Sequence, residues 1–295
     1  MCGIVGLHLR DPALYPRLGE LIAPMLDCMG SRGPDSAGLA LYTDDAATPR
    51  YSVRSDEPLD WQRVAHDLGA ALAVAVEVTE RPGGAVLATV ADEHAVLDRL
   101  ARDVPSAVLV GHGSAMEVVK DTGNPREVCE RYGIAARRGY QGIGHTRMAT
   151  ESAVTTDHSH PFAPAADMAL VHNGSFSNHA TVRRRLERDG VRCVTDNDSE
   201  VAARFVALQV ARGAGLDDAL RMVQKELDGF FTLLVTTATE FAVLRDAIAC
   251  KPAVIAETDA YVAVSSEYHA LAGLPGIAQA RVYEPEPEEV YTWRR

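Results

Sequence analysis

The sequence predicts an α+β protein in which antiparallel sheets are stacked between helical layers. Strand patterns open the chain, helical periodicity occupies its middle, and short β-branched or aromatic segments separated by turn residues close it. At 295 residues, 47% hydrophobic and 24% charged, the composition is ordinary for a globular chain, not for a disordered, collagen-like or disulfide-stapled one. That length allows one large domain or two small ones.

Residues 2–9 alternate small and apolar side chains as a strand does, and Asp11-Pro12 ends the pattern. Over 14–29, Leu14, Leu18, Leu21, Ile22, Met25, Leu26 and Met29 recur at three- and four-residue steps, which predicts a helix with one buried stripe. Residues 30–35 stop it, 37–42 read as a strand, and the polar stretch 43–60 reads as surface. Residues 61–138 read as a β/α unit of their own: a helix, strands near 73–78 and 85–90, a helix over 93–102, and strands near 107–110 and 116–119. Gly111-His112-Gly113 in that unit looks like a loop but lacks the Lys-Ser/Thr of a phosphate loop. Strands at 142–148 and 168–172 then precede helices at 179–188, 199–212 and 216–227, and strands follow at 230–236, 241–245, 254–256, 261–264 and 281–283.

Lysine and arginine total 29 against 41 acidic residues, a net charge of −12, and no basic run offsets it, so a nucleic-acid partner is not expected. The longest apolar run, 70–76, is seven residues, against about 20 for a membrane helix. The first residues lack the basic start and apolar stretch of a secretory signal, so a cytoplasmic protein with no membrane partner is expected. The five cysteines (Cys2, Cys28, Cys129, Cys193, Cys250) include no CxxC pair, which argues against a zinc knuckle and a disulfide framework. All but Cys2 read as inert core thiols. His158 and His160 have no carboxylate or cysteine cluster beside them and read as structural or loop residues, so no metal is expected.

Cys2 is the most informative residue. Removal of Met1 would leave a residue carrying both a thiol and a free α-amine, and an amine of pKa about 7.7–8.0 is a usable base for a thiol of pKa about 8.5. One residue then supplies nucleophile and base. Alone, a cysteine at this position reads equally as the start of a strand, and Asn173-Gly174 as a hairpin turn. Arg147 alone reads as a surface ion pair and Asp198 as a helix cap.

Five segments in order change that reading: Met1-Cys2-Gly3-Ile4-Val5-Gly6, Arg32-Gly33-Pro34-Asp35-Ser36-Ala37-Gly38, Gly144-His145-Thr146-Arg147-Met148-Ala149-Thr150, Val171-His172-Asn173-Gly174, and Thr195-Asp196-Asn197-Asp198-Ser199-Glu200. Together they resemble the class II glutamine amidotransferases, the N-terminal-nucleophile glutaminases. The resemblance implies an αββα sandwich of two antiparallel sheets. It implies Cys2 as nucleophile, Asn173 and the Gly174 N–H as oxyanion donors, and Arg32 shaping the loop beside the cysteine and favouring its thiolate. Arg147 and Thr150 would hold the substrate carboxylate and Asp198 its ammonium. The donor types suit these tasks: neutral N–H groups for an oxyanion, a planar guanidinium for a carboxylate. Pro34 stands where shorter members usually have an aromatic residue, and Glu151 where several have histidine, so the carboxylate end is finished differently here.

The resemblance covers nearly the whole chain apart from an insertion at about 43–138, and includes no synthase domain. The insertion, Phe230-Phe231-Thr232 and the closing Tyr283-Glu284-Pro285-Glu286-Pro287 look like the small glutaminase subunit of N-methylglutamate synthase and related glutamate-synthase-like complexes. The implied activity is hydrolysis of L-glutamine through a Cys2 thioester, with ammonia passed to a partner synthase subunit that binds flavin. No flavin, nucleotide or iron–sulfur signature occurs in this chain, and no cofactor is expected. Two other functions stay open: a non-catalytic glutamine sensor on the same fold, and an N-terminal-nucleophile hydrolase of other amides, against which the Arg147 and Asp198 pair argues.

Overall fold

The computed structural model describes residues 2–44, 48–148 and 155–295. The chain opens with β1 (Gly3–Leu9) and α1 (Leu18–Cys28), then β2 (Ser36–Tyr42). The helix expected over 14–29 is shorter: Pro16 disfavours the α conformation at Tyr15, and a 3-10 turn, Pro12–Arg17, capped by Asp11, replaces its first turn. Next come β3 (Arg50–Arg54), α2 (Trp61–Leu72), β4 (Glu77–Arg81), β5 (Gly84–Ala88), α3 (Glu93–Asp103), β6 (Val108–Gly113), β7 (Met116–Thr122) and α4 (Pro125–Arg131). The middle supplies β8 (Gln141–Arg147), β9 (Phe162–Ala165), β10 (Met168–Phe176), α5 (His179–Arg188), α6 (Asp198–Ala211) and α7 (Leu216–Glu226). It closes with β11 (Gly229–Thr236), β12 (Glu240–Arg245), β13 (Val254–Glu257), β14 (Tyr261–Ser265), β15 (Arg281–Tyr283) and β16 (Val290–Arg294).

Among the described residues, a seven-stranded antiparallel sheet, β15-β13-β14-β1-β8-β2-β7, faces a five-stranded one, β16-β12-β11-β10-β9. Alternation sorts each strand's side chains between two cores. In β1, Val5, Leu7 and Leu9 pack outward against Leu18, Ile22, Met25 and Leu26 of α1, while Ile4 packs inward with Val171, Leu234 and Val243 of the second sheet. Each fully buried leucine or isoleucine of that helix stripe contributes about 1.5–3 kcal/mol over its exposed state. The second sheet turns Leu170, Phe231, Leu233 and Leu244 outward under Val182 of α5, Val206 of α6 and Leu220 of α7. The layers therefore run helix, sheet, sheet, helix, the αββα sandwich expected.

The separate unit is narrower than the expected 43–138. A third antiparallel sheet, β4-β5-β3-β6, packs under α2 and α3 through Tyr51, Trp61, Leu68, Leu87, Val96 and Leu100. From β7 onward the chain is back in the main body: β7 is the edge strand beside β2, and Val128 and Cys129 of α4 join the α1 core. Glu117 on β7 roots the unit, accepting from Arg81 of β4 at 3.0 Å and Arg137 at 3.1 Å. Gly111-His112-Gly113 lies in strand β6, not in a loop, with His112 stacked on Tyr51. No helix among the described residues is long and apolar enough to cross a membrane.

Candidate active site

The described candidate residues lie at one end of the sandwich, where His145 of β8 donates to the His172 carbonyl of β10 at 3.1 Å. Cys2 stands one step before β1 on the parity of the inward-facing Ile4, and the Gly3–Thr146 register sets it alongside Arg147 at the end of β8. Arg147 pairs in register with Ser36 of β2, and the side-chain hydroxyl of Ser36 is buried without a partner among the described residues. Arg32 reaches the same corner. Its Nε donates to the Cys2 carbonyl at 3.0 Å, and its guanidinium forms an ion pair with Glu267. The guanidinium thus holds the Cys2 main chain, and Glu267 takes up its charge. The loop from Arg32 onto β2 passes so close to β8 that a Cβ at Gly33 would lie 2.6 Å from the Arg147 nitrogen. Only glycine fits there.

Across the sandwich, Asn173 shares the parity of Ala169 and Val171, which face the first sheet. The residue is 2% exposed, and its side-chain amide nitrogen has no hydrogen-bond partner among the described residues. Gly174 follows, paired with Phe231 of β11; a Cβ there would sit 2.6 Å from Phe231 Cα and 2.7 Å from His172 Nε2. Buried donors are almost always paired, so Asn173 Nδ2 marks a place prepared for an acceptor.

Asp198 opens α6, capped by Asn197, whose side chain accepts from the Ser199 N–H at 2.8 Å. Its Oδ2 accepts from the Phe176 N–H at 2.8 Å, which ties it to the strand that carries Asn173. Glu200 steadies the preceding loop by accepting from the N–H groups of Val194 and Thr195 at 2.8 and 2.6 Å. His158 ties residues 155–161 to the same loop, bonding Thr155 and Asp196 at 2.7 Å each. Thr150 and Glu151 lie outside the described residues.

A family profile described as "Glutamine amidotransferase domain" matches residues 145–273. The glutamine amidotransferase-like protein GlxB of Rhizobium meliloti is 48% identical over 298 residues, covering 99% of this chain and 98% of that one. The chain belongs to the class II glutamine amidotransferase family. A glutamine–fructose-6-phosphate aminotransferase of Mycolicibacterium paratuberculosis is 34% identical over 172 residues, 56% of this chain and 28% of that enzyme. In fold, the chain is similar to the glutamine phosphoribosylpyrophosphate amidotransferase of B. subtilis, with a TM-score of 0.62 and 18% identity over 99% of this chain and 49% of that one.

In this amidotransferase the structure brings Arg32 onto Cys2, sets Arg147 beside Cys2 by register, and ties Asp198 to the strand of Asn173 and Gly174. Sequence reasoning gave His145 and His172 no role and read His160 as a structural or loop residue. The three imidazoles lie in one buried group, with His145 and His160 ring centroids 4.0 Å apart and His160 and His172 6.4 Å apart. Burial pushes His145 down to about 3 and His172 down to about 4, the latter against the pull of Asp198, and it carries His160 well below its ordinary value. A signal existed in the sequence for one of them: polar His172 interrupts the apolar run 168–171. Three thiols differ from expectation: Cys250 is exposed, in a turn beyond β12, and Cys28 and Cys193 are only partly buried. Cys129 is a core thiol, pushed up to about 12 by burial.

Proposed function

We propose that this chain hydrolyses the side-chain amide of L-glutamine through a thioester on Cys2 and passes the ammonia to a separate synthase subunit. Processing immediately before Cys2 frees its α-amine, which takes the thiol proton. The thiolate attacks the amide carbon, and the oxyanion is met by Asn173 Nδ2 and the Gly174 N–H. Collapse breaks the C–N bond, the α-ammonium returns its proton to the leaving nitrogen, and ammonia departs. Water, deprotonated by the α-amine, then cleaves the thioester to glutamate and the free thiol. Arg147, with Thr150, holds the substrate carboxylate and Asp198 its ammonium, while Arg32 anchors the Cys2 main chain. The observation that carries this reading is the buried Asn173 amide nitrogen, without a partner among the described residues, at the end of the sandwich where Cys2 lies.

The acceptor subunit is proposed to be a flavin-binding synthase of the N-methylglutamate synthase or glutamate-synthase-like type, and the inserted sheet its docking surface. Cys2→Ala tests the chemistry: glutamine hydrolysis is lost with the fold intact, and a glutamine-like diazo-ketone labels Cys2 alone in the parent. Label on Cys28 or Cys129 would place the site elsewhere. Assay with and without a co-purified synthase subunit tests the transfer. Full turnover in the isolated chain, unchanged by that subunit, would make it a stand-alone hydrolase.

A further inference from the structure

We infer that His172 is a positioning residue that locks the proposed ammonium-binding carboxylate of Asp198 to the proposed oxyanion donors, through a relay in which Ser199 is the middle link. The inference rests on the reading above. Ser199 Oγ donates to Asp198 Oδ1 at 3.2 Å and lies 2.7 Å from His172 Nδ1. A hydroxyl has one proton. Having given it to the carboxylate, Ser199 can only accept from the imidazole, so His172 carries its proton on Nδ1.

The other carboxylate oxygen is tied to the same strand. Oδ2 accepts from the Phe176 N–H at 2.8 Å, and the Phe176 ring stacks on the His172 ring with centroids 4.5 Å apart. Both oxygens of Asp198 are therefore set by residues 172 and 176 of β10, which bracket Asn173 and Gly174. The backbone of His172 is fixed from the opposite sheet. His145, two residues before Arg147, donates from Nε2 to the His172 carbonyl at 3.1 Å. One strand thus joins three subsites: His145 ties it to the strand of Arg147, Asn173 and Gly174 lie on it, and His172 with Phe176 aims Asp198.

The relay needs a proton on Nδ1, which the neutral Nδ1–H tautomer supplies. Asp198 and Lys251 are the charged groups acting on this ring, and burial keeps it neutral with Asp198 pulling the other way. Glutamine presents its ammonium and its amide at opposite ends of a flexible chain, so a fixed distance between Asp198 and the oxyanion donors sets its binding pose.

The test compares glutamine with glutaramate, the same molecule without the α-amine, which keeps the carboxylate and the amide but has nothing for Asp198 to hold. In Ser199→Ala, kcat/KM for glutamine relative to glutaramate is expected to fall about tenfold, through KM, because an aimed charge-assisted contact is loosened. His172→Phe, which keeps the stack on Phe176, does the same. His172→Asn, which returns a donor near the Nδ1 position, restores most of the ratio. Calorimetric binding of both compounds to the Cys2→Ala protein and its relay variants reads the same ratio without chemistry. Equal losses on both substrates, no change in either, or an Asn variant as poor as Phe would overturn the relay. Glutamine that binds with the expected ratio but is not hydrolysed by the parent protein would support the relay and sink the thioester mechanism. Glutamine that does not bind would sink both.

Discussion

Asn173→Ala separates a donor aimed at a transition state from one that holds the fold. The side chain is 2% exposed and its amide nitrogen meets no acceptor among the described residues. A buried donor left unmade costs about 1–3 kcal/mol in the resting protein. Deleting it removes that cost and loses a little packing, so the expected change in stability is within about 1 kcal/mol, or about 2–4 °C in Tm for a chain of this size class. The effect on the reaction is larger. A donor that engages charge only as it develops is worth about 10²–10³ in kcat, or 2.7–4 kcal/mol, while KM stays within about threefold. Ammonia release measured over a glutamine series, with a thermal melt of the same preparation, gives all three quantities. A kcat within tenfold of the parent, a loss carried by KM, or a melt lowered by more than about 10 °C would refute the reasoning, the last by making Asn173 a structural strut.

Arg147→Lys replaces a planar fork by a point charge, so KM for glutamine is expected to rise with kcat little changed; the reverse split in steady-state kinetics would exchange the carboxylate and oxyanion assignments. Intact-protein mass of the active enzyme should begin at Cys2, and a fully active protein with that amine blocked would rule out its role as base. His145, His160 and His172 are neutral in the fold with depressed pKa values and titrate near 6.5 when unfolded. The unfolded chain then binds more protons below pH 6.5, so the stability these groups hold is full above that pH and drains as pH falls towards their folded values. The loss is about 2 kcal/mol per histidine by pH 5. Urea midpoints at pH 8, 6.5 and 5 test this above the carboxylate range, and a flat profile would mean that the imidazoles accept protons in the fold.

The elements that sequence reading placed best are those whose periodicity and burial agree. The 179–188 helix appears with the same bounds, and 216–227 closes one residue early. Two of the strands it missed are edges. β16 runs Val-Tyr-Thr-Trp-Arg, partly exposed, and β9 carries Pro164, so neither has the apolar alternation of a central strand. β3 has an arginine at each end and read as surface, yet it lies between β5 and β6, with Tyr51 and Val53 buried under α2 and α3. The boundary of the inserted unit moved for a related reason. Nothing local in β7 tells which sheet it joins, because its buried run 116–120 suits either one, and register with β2 decides.

The candidate site divides in the same way. Residues next to each other in the chain, such as Asn173-Gly174 or Asp198-Ser199, were legible because one short segment carries the chemistry. Contacts between segments distant in the chain were not. Arg32 was expected to shape the loop beside Cys2 and favour its thiolate, but its bond to the Cys2 carbonyl and its ion pair with Glu267, 235 residues away, could not be read from the segment. His172 stood inside a quoted segment with no role, since what gives it one is Ser199, 27 residues on at the start of α6, and the stack on Phe176. In each case the residue type was readable and the partner was not, because the partner is selected by which strand ends the two sheets bring to the same edge. Substitutions at the partners, Glu267 and Ser199, therefore probe what the motif residues do more cleanly than substitutions within the motifs, which remove the chemistry together with its support.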